Sequence, residues 1–309
     1  MSQMRLNPLN GRWVTIVAER AKRPSAFVAR HQSVENDPNL ACPFCPGNEE
    51  ETPPAIETIE ADGTWSMRVV SNRYPAFEGD AAFSVHNLGP VFVMAEASGI
   101  HEVFVYTPDH ESGLHLLDDD HAAQMMQVLK RRFAEHAATP NVRYTQAIVN
   151  HGREAGASVA HPHGQILGLP FVPGGILDEE RAFARFAGGC VLCTTAEAEI
   201  AADERVVFAN DEVVVLCPFW SGAPYELLII PRQHEPHAIG HLNAALGDVA
   251  FNIGIHTAPH QHTGQYHWHA HVWPNLVTQA GFERGTGVMI NIVPPEQACD
   301  ALRSVSAPA

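Results

Sequence analysis

Glu102-Val103-Phe104-Val105-Tyr106-Thr107-Pro108-Asp109-His110 and Glu226-Leu227-Leu228-Ile229-Ile230-Pro231-Arg232-Gln233-His234 are written in one grammar. Each is an apolar run of strand character that opens on Glu and reaches His eight residues later. A C-x2-C pair precedes each run, Cys42-Pro43-Phe44-Cys45 in the first case and Cys190-Val191-Leu192-Cys193 in the second. A His-x-His follows each, His161-Pro162-His163 and then His267-Trp268-His269. Such correspondences, repeated in the same order, mark an internal repeat. Two units of one kind are therefore expected, residues 1–175 and 176–309, with the boundary in Pro170–Arg185.

Around these motifs the pattern predicts strands at His101–Thr107, Tyr144–Asn150, Gln165–Leu169, Val213–Cys217, Leu227–Ile230 and Val288–Val293. All are short, rich in β-branched or aromatic residues, and bounded by Gly, Pro or Asn. Helices are expected at Asp118–His136, with Asp118 as its cap, and at Asn243–Asn252. Strands with one helix per half make an α+β fold of two pseudo-repeated units, each an antiparallel sheet with a helix. Pro24–Glu57 and Thr257–Gly264 read as loops, and Ser304–Ala309 as a frayed end.

The chain has 309 residues, 45% of them hydrophobic, enough to bury a core without staples. Lys and Arg number 19 against 35 Asp and Glu, a formal charge of −16. That sign disfavours nucleic acid or an anionic membrane as partner, but leaves room for a phosphorylated small molecule held by a few local cations. No apolar run suits a signal peptide or a membrane span, so a cytoplasmic setting is expected. There, six cysteines should be thiols or metal ligands. Cys217 and Cys299, outside the pairs, read as core residues. Of the 19 histidines, His31, His86, His121 and His136 read as solvated.

A structural zinc takes four Cys or His ligands in a tetrahedron, and C-x2-C lets one turn deliver two thiolates. Cys42, Cys45, His110 and His161 are the first candidate set. Pro43, Pro46 and Gly47 suit a knuckle-like turn better than the helix start of a redox pair. By the repeat, Cys190, Cys193, His234 and His267 form the second, with His237, His241 and His256 as competitors for its last place. One zinc, and a second, are expected.

His163 lies two residues beyond His161, hence on the same face of a strand. Pro162 stiffens the connection, Gly164 offers close backbone access, and Gln165 can donate an amide hydrogen to a phosphate oxygen. An imidazole with pKa near about 6.5 is nucleophilic at neutral pH, and it leaves readily once bonded to phosphorus. The Gly-rich Asn150–Ser158 segment suits a loop that turns backbone N–H groups to a phosphate. Arg20 and Arg23 suit bidentate phosphate contacts. A non-catalytic, zinc-stabilised nucleotide-binding protein is the competing reading. It would not need His163 and Gln165 together.

Arg20-x-x-Arg23-Pro24, Cys42-Pro43-Phe44-Cys45, Asn72-Arg73-Tyr74-Pro75, Pro108-Asp109-His110, Gly152–Gln165 and His267-Trp268-His269-Ala270-His271 together resemble the galactose-1-phosphate uridylyltransferase family, of the histidine-triad superfamily. The resemblance implies histidine-triad-like units and a homodimer. It implies a ping-pong transfer in which His163 takes UMP from UDP-glucose and passes it to galactose 1-phosphate. Gln165 would hold the transferred phosphate, Asn72, Asn150 and Ser158 would contact the nucleotide and its phosphates, and Arg20 and Arg23 would bind phosphate. Cys42, Cys45, His110 and His161 would be zinc ligands. Some relatives hold a second metal with a carboxylate and three histidines, here Glu179, His256, His269 and His271, while others carry the second C-x2-C. Both sets are present. The wording of Gly152–Ser158 and of Gly281–Gly287 resembles the ADP-glucose phosphorylase-like branch, which implies nucleotidyl transfer to phosphate as the alternative.

Overall fold

The computed structural model describes residues 2–22, 41–61, 63–234 and 250–304. The fold is α+β. Its strands are β1 (Gln3–Leu6), β2 (Trp13–Ile16), β3 (Ala55–Ala61), β4 (Thr64–Ser71), β5 (Val85–Asn87), β6 (Val93–Ala95), β7 (Ile100–Val105), β8 (Tyr144–His151), β9 (His163–Leu169), β10 (Val206–Ala209), β11 (Val213–Leu216), β12 (Leu227–Pro231), β13 (Phe251–His256), β14 (His269–Pro274) and β15 (Met289–Asn291). The helices are α1 (Asp119–Ala138), α2 (Gly174–Arg185), α3 (Val191–Ala202), α4 (Gly281–Thr286) and α5 (Pro295–Ser304).

Ten strands form one sheet in the order β10-β11-β12-β14-β13-β8-β9-β7-β4-β3. Read outward from the β13–β8 junction, each side runs through the same sequence of roles. Neighbours are antiparallel throughout, and the junction pairs Phe251–Ile255 with His151–Ala147. The histidine-triad-like halves are thus fused edge to edge into one sheet. The outermost pairs, β3–β4 and β10–β11, both contain register shifts.

Alternation along the strands divides the core by face. On one face Phe104, Ala147, Val149, Ile166, Leu227, Ile229, Ile253, Ile255 and Val272 pack with Met125, Met126, Val128 and Leu129 of α1. Burying such side chains stabilises by about 1.5–3 kcal/mol each. The Asp118 cap, which accepts the His121 N–H at 2.7 Å, is worth about 1 kcal/mol, so packing holds α1 and the cap sets where it starts. On the other face Leu228, Ile230, Val214 and Leu216 pack with Ile176 and Phe183 of α2 and Val191 and Leu192 of α3. A smaller cluster of Phe44, Trp65, Val70, Val103 and Val105 completes that face.

Several expectations need correction. Asn252 lies in β13, not a helix, and residues 243–249 of that expected helix lie outside the described residues. The linking stretch Pro170–Arg185 is mostly helix α2. Part of the expected loop Pro24–Glu57 is strand β3, while residues 24–40 are not described. Gly164 offers no backbone access to the site face. It pairs with Phe104, and a Cβ there would lie 2.2 Å from the Phe104 ring and 2.7 Å from the Ile148 carbonyl oxygen. His136 is fully buried, whereas His86 is exposed and His31 is not described. His121 is half-buried and donates its Nε2–H to the Tyr106 carbonyl at 2.6 Å. Cys217 and Cys299 are fully buried, as expected of core residues. Among the described residues no helix is long and apolar enough to cross a membrane.

The buried polar network beside α1 gives a stability test. Arg132 donates to Glu102 through Nε at 2.9 Å and Nη2 at 2.5 Å, and His136 Nε2 lies 3.4 Å from the same carboxylate. Burial would raise the Glu102 pKa, but His136 and Arg132 outweigh it and hold the carboxyl below its ordinary value. A depressed folded pKa stabilises above the unfolded value of about 4.3, and that contribution is lost as pH falls through the folded pKa. Glu102→Gln should cost about 2–3 kcal/mol at neutral pH, because Arg132 keeps only partial access to water. Denaturant melts should show the gap from the parent closing below about pH 4.

Candidate active site and metal centres

Residues directly opposite each other in an antiparallel pair point to the same face. Val105 stands opposite His163 and Val103 opposite Gln165, while Val149 opposite Gly164 brings Asn150 beside His163. His163, Gln165, Asn150 and His101 therefore share the face away from α1.

His163 is nine-tenths buried, with the Phe44 ring centroid 5.2 Å from its own. Its Nδ1 lies 2.8 Å from the His161 carbonyl. A carbonyl only accepts, so Nδ1 carries the hydrogen and the lone pair is on Nε2. Burial lowers the His163 pKa, with that hydrogen bond partly opposing, so the ring is neutral at pH 7. The arrangement presents an imidazole fixed in orientation and tautomer, with one nitrogen free to react.

Three ligand clusters assemble, each with its ligand atoms within 4.8 Å of one another: Cys42, Cys45, His110 and His161; Cys190, Cys193, His234 and His267; and Glu179, His256, His269 and His271. In the first, Cys45 Sγ lies 3.3 Å from His110 Nδ1 and 3.5 Å from His161 Nδ1. In the second, Cys193 Sγ lies 3.6 Å from His234 Nδ1 and 3.5 Å from His267 Nδ1, and Cys190 Sγ lies 3.5 Å from His267 Nδ1. With Zn–S about 2.3 Å and Zn–N about 2.0–2.1 Å, a tetrahedron has S···N edges of about 3.5 Å, so both fit zinc. His161 donates Nε2–H to the Thr107 carbonyl at 2.9 Å, which leaves its Nδ1 as the ligand atom. The second C-x2-C sits at the start of α3, with Cys190 as N-cap, and not in a knuckle.

In the third cluster Glu179 is buried, with Oε1 2.9 Å from His256 Nδ1 and 3.8 Å from His269 Nε2. Burial would raise its pKa, but His256 and His269 hold the carboxyl well below its ordinary range. Burial pushes His271 down to about 4. Among the described residues His269 Nε2 and His271 Nδ1 are buried without hydrogen-bond partners. A buried carboxylate facing imidazoles with idle nitrogens suits a divalent cation.

The halves correspond position by position. His267, His269 and His271 repeat His161, His163 and Gln165, and His269 Nδ1 meets the His267 carbonyl at 2.9 Å just as His163 meets His161. His256, opposite His269, repeats Asn150. The place that holds His163 in the first half thus holds the His269 cluster in the second. The register also corrects the Glu-to-His reading. Leu227 pairs with Val272 as Glu102 pairs with Ile166, so Leu227 is the equivalent of Glu102, and Glu226 is the equivalent of His101. One residue of slip turns a side chain to the opposite face.

The other candidate residues fare unevenly. Asn72 lies beside His101, with Nδ2 3.1 Å from its Nε2. Asn150 Oδ1 accepts from Asn252 Nδ2 at 2.8 Å, and Asn252 also donates to the Ala155 carbonyl at 2.8 Å. Ser158 is exposed in the loop that follows. Gly152 and Gly156 take positive φ, 82° and 88°, and the N–H groups of Ala155, Gly156 and Ala157 bond to the carbonyls of Gly152 and Arg153. The loop therefore keeps these three donors for itself. Arg20 lies in the 3-10 turn Ala18–Lys22, and no hydrogen bond or ion pair among the described residues joins it to His163 or Gln165. Arg23 lies outside the described residues, as do His237 and His241. Spacing does not bring out His101 or Asn252, and it matches Glu226 to Glu102 instead of His101. Only the strand pairing places them, and no spacing signal announces it.

Comparison with known proteins agrees with this geometry. Residues 1–173 match the family described as galactose-1-phosphate uridyl transferase, N-terminal domain. ADP-glucose phosphorylase of Arabidopsis thaliana is 30% identical over 98% of this chain and 93% of its own. Galactose-1-phosphate uridylyltransferase of Thermotoga maritima is 27% identical over 98% of both chains. The crystal structure of the Arabidopsis thaliana ADP-glucose phosphorylase with bound ADP-glucose superposes with a TM-score of 0.83, at 27% identity, over the whole of both chains. With the family matched over more than half its length, the fold shared and the His-Pro-His-Gly-Gln strand in place, this chain is a nucleotidyltransferase of the galactose-1-phosphate uridylyltransferase family.

Proposed function

We propose that this chain moves UMP from UDP-glucose to galactose 1-phosphate through a covalent intermediate on His163. The observation that carries the reading is the Nδ1–H bond to the His161 carbonyl, which leaves Nε2 as the nucleophile. Nε2 attacks the α-phosphorus, an N–P bond forms, and the P–O bond to the departing glucose 1-phosphate breaks. The His161 carbonyl supports the positive charge that develops on the ring. A phosphate oxygen of galactose 1-phosphate then attacks the same phosphorus, the N–P bond breaks and neutral His163 returns. Gln165, and Asn72, Asn150, Ser158, Arg20 and Arg23 as substrate contacts, complete the assignment, with residues 1–175 as the reacting unit and 176–309 as its partner unit. A cytoplasmic setting suits its free thiols.

A second reading keeps the chemistry and changes the ligands: AMP transfer from ADP-glucose to inorganic phosphate. It is favoured by the 30% identity and TM-score of 0.83 with the Arabidopsis thaliana ADP-glucose phosphorylase. Intact-mass measurement after incubation with each donor separates the two. UDP-glucose should add UMP to the protein and galactose 1-phosphate should remove it. An AMP adduct from ADP-glucose alone, discharged by phosphate, would select the second reading. His163→Asn should carry no adduct with either donor, and a full adduct on it would refute both.

We further propose zinc at both Cys/His clusters and a divalent metal at the Glu179 cluster, all structural. Bound there, the metals would tie loops to the sheet and fix the backbone on which His163 is presented. Burial and the neighbouring thiols push Cys45 up to about 11 and Cys193 up to about 12 in the metal-free protein, so binding displaces protons and weakens as pH falls. Elemental analysis should find three equivalents, with Cys42→Ser and Glu179→Gln each losing one. Chelation should lower the melting midpoint by roughly 5–10 °C. Full metal content in either variant would remove that cluster from the assignment.

A homodimer is the proposed assembly. Hairpin β5–β6 exposes Val91 at 74%, Phe92 at 66% and Val93 at 64%, an apolar patch of the kind that partners cover. The parent should sediment at twice the chain mass, and Phe92→Lys should shift it toward monomer. A monomeric parent would end the proposal.

A further inference from the structure

We infer that His101 is a positioning residue that fixes which end of the Gln165 amide faces the reacting phosphate. The inference rests on the reading of His163 and Gln165 as the reacting pair. His101 sits in β7 opposite Leu167, on the face shared by Gln165 and His163. Its ring is held at both nitrogens. The backbone N–H of Ala76 points at Nδ1 from 3.0 Å, and Nε2 lies 2.7 Å from Gln165 Oε1.

A backbone N–H cannot be reversed, so Nδ1 must accept and Nε2 must carry the hydrogen. That hydrogen has Gln165 Oε1 as its acceptor. Asn72 Nδ2, 3.1 Å from the same Nε2, is a second donor and takes no part in this bond, while Asn72 Oδ1 accepts the Tyr74 N–H at 2.8 Å. The carbonyl end of Gln165 is thereby fixed on His101. Its NH2 end has no hydrogen-bond partner among the described residues and is free to donate. Without the clamp, the amide can rotate and turn a carbonyl oxygen toward the phosphate oxygens, which repel it. In the second half the equivalent positions are also neighbours: Glu226, equivalent to His101, lies 3.8 Å from His271, the equivalent of Gln165.

A double-mutant cycle on the first half-reaction tests it, read as the single-turnover rate of nucleotidylation at saturating donor. His101→Phe should slow this step by on the order of 10–100-fold, with a much smaller change in donor KM. Added to Gln165→Ala, it should slow the reaction no further, because the residue acts through Gln165. His101→Asn, which keeps an N–H donor, should recover part of the rate. It also serves as the cycle's first arm if the Phe variant fails to fold. An equal effect of the His101 substitution in both backgrounds, or parental rates in it, would overturn the inference. Absence of any adduct on the parent protein would instead overturn the assignment of His163, so the two failures are distinct.

Discussion

The antiparallel ladder between β8 and β13 is the constraint on which the rest of the molecule depends. It joins the halves through backbone hydrogen bonds from Phe251–His151 to Ile255–Ala147 and fixes a single register across ten strands. Because a strand's side chains alternate, one register decides every face at once. It places His163, Gln165, Asn150 and His101 on the same side of the sheet as the Glu179 cluster, and gives the opposite side to α1. Asn252, bonded to both Asn150 and the Ala155 carbonyl, carries that alignment into the loop after β8. A second-half residue thus holds a first-half candidate contact.

The two halves present different side chains at equivalent places on one scaffold. The bond from ring Nδ1 to the carbonyl two residues earlier is present in both, so His163 and His269 begin from the same geometry. Divergence comes from the neighbours. In the first half the flanking positions hold Asn150 and Gln165, neutral amides suited to a phosphate. In the second they hold His256 and His271, and α2 adds the Glu179 carboxylate to make a cluster that could hold a cation. The segment that links the repeats thereby supplies the group that sets the second half apart.

Much of this was legible in the sequence. The C-x2-C pairs, the His-x-His pairs and the strands around them mark the repeat and the Cys/His residues that cluster in space, because short fixed spacings on strands and turns bring such groups together. Asp118 announced the start of α1 through its capping side chain. Other features were hidden because they depend on partners distant in the chain. Glu102 and Glu226 look equivalent at equal distance from a histidine, yet a one-residue difference in register sends them to opposite faces. Gly164 looked like an opening toward a ligand, and its reason is the Phe104 ring packed against it. His136 looked solvated until Glu102 and α1 were seen to enclose it.

The register shifts in the two outermost strand pairs carry a consequence for solution behaviour. Among the described residues the sheet ends in two edges, β3 and β10, and edge strands offer backbone groups on which another chain can pair. The shifts at Ala55/Glu57, Ile59/Glu60 and Val206/Phe208 break the flat repeat on which such pairing depends, and β3 adds the charges of Glu57 and Glu60 along its length. The β8–β13 pairing covers the inner edges of both halves, and the outer two are irregular. The same strands that end the sheet thus offer another chain an uneven edge, poorly suited to continuing the ladder.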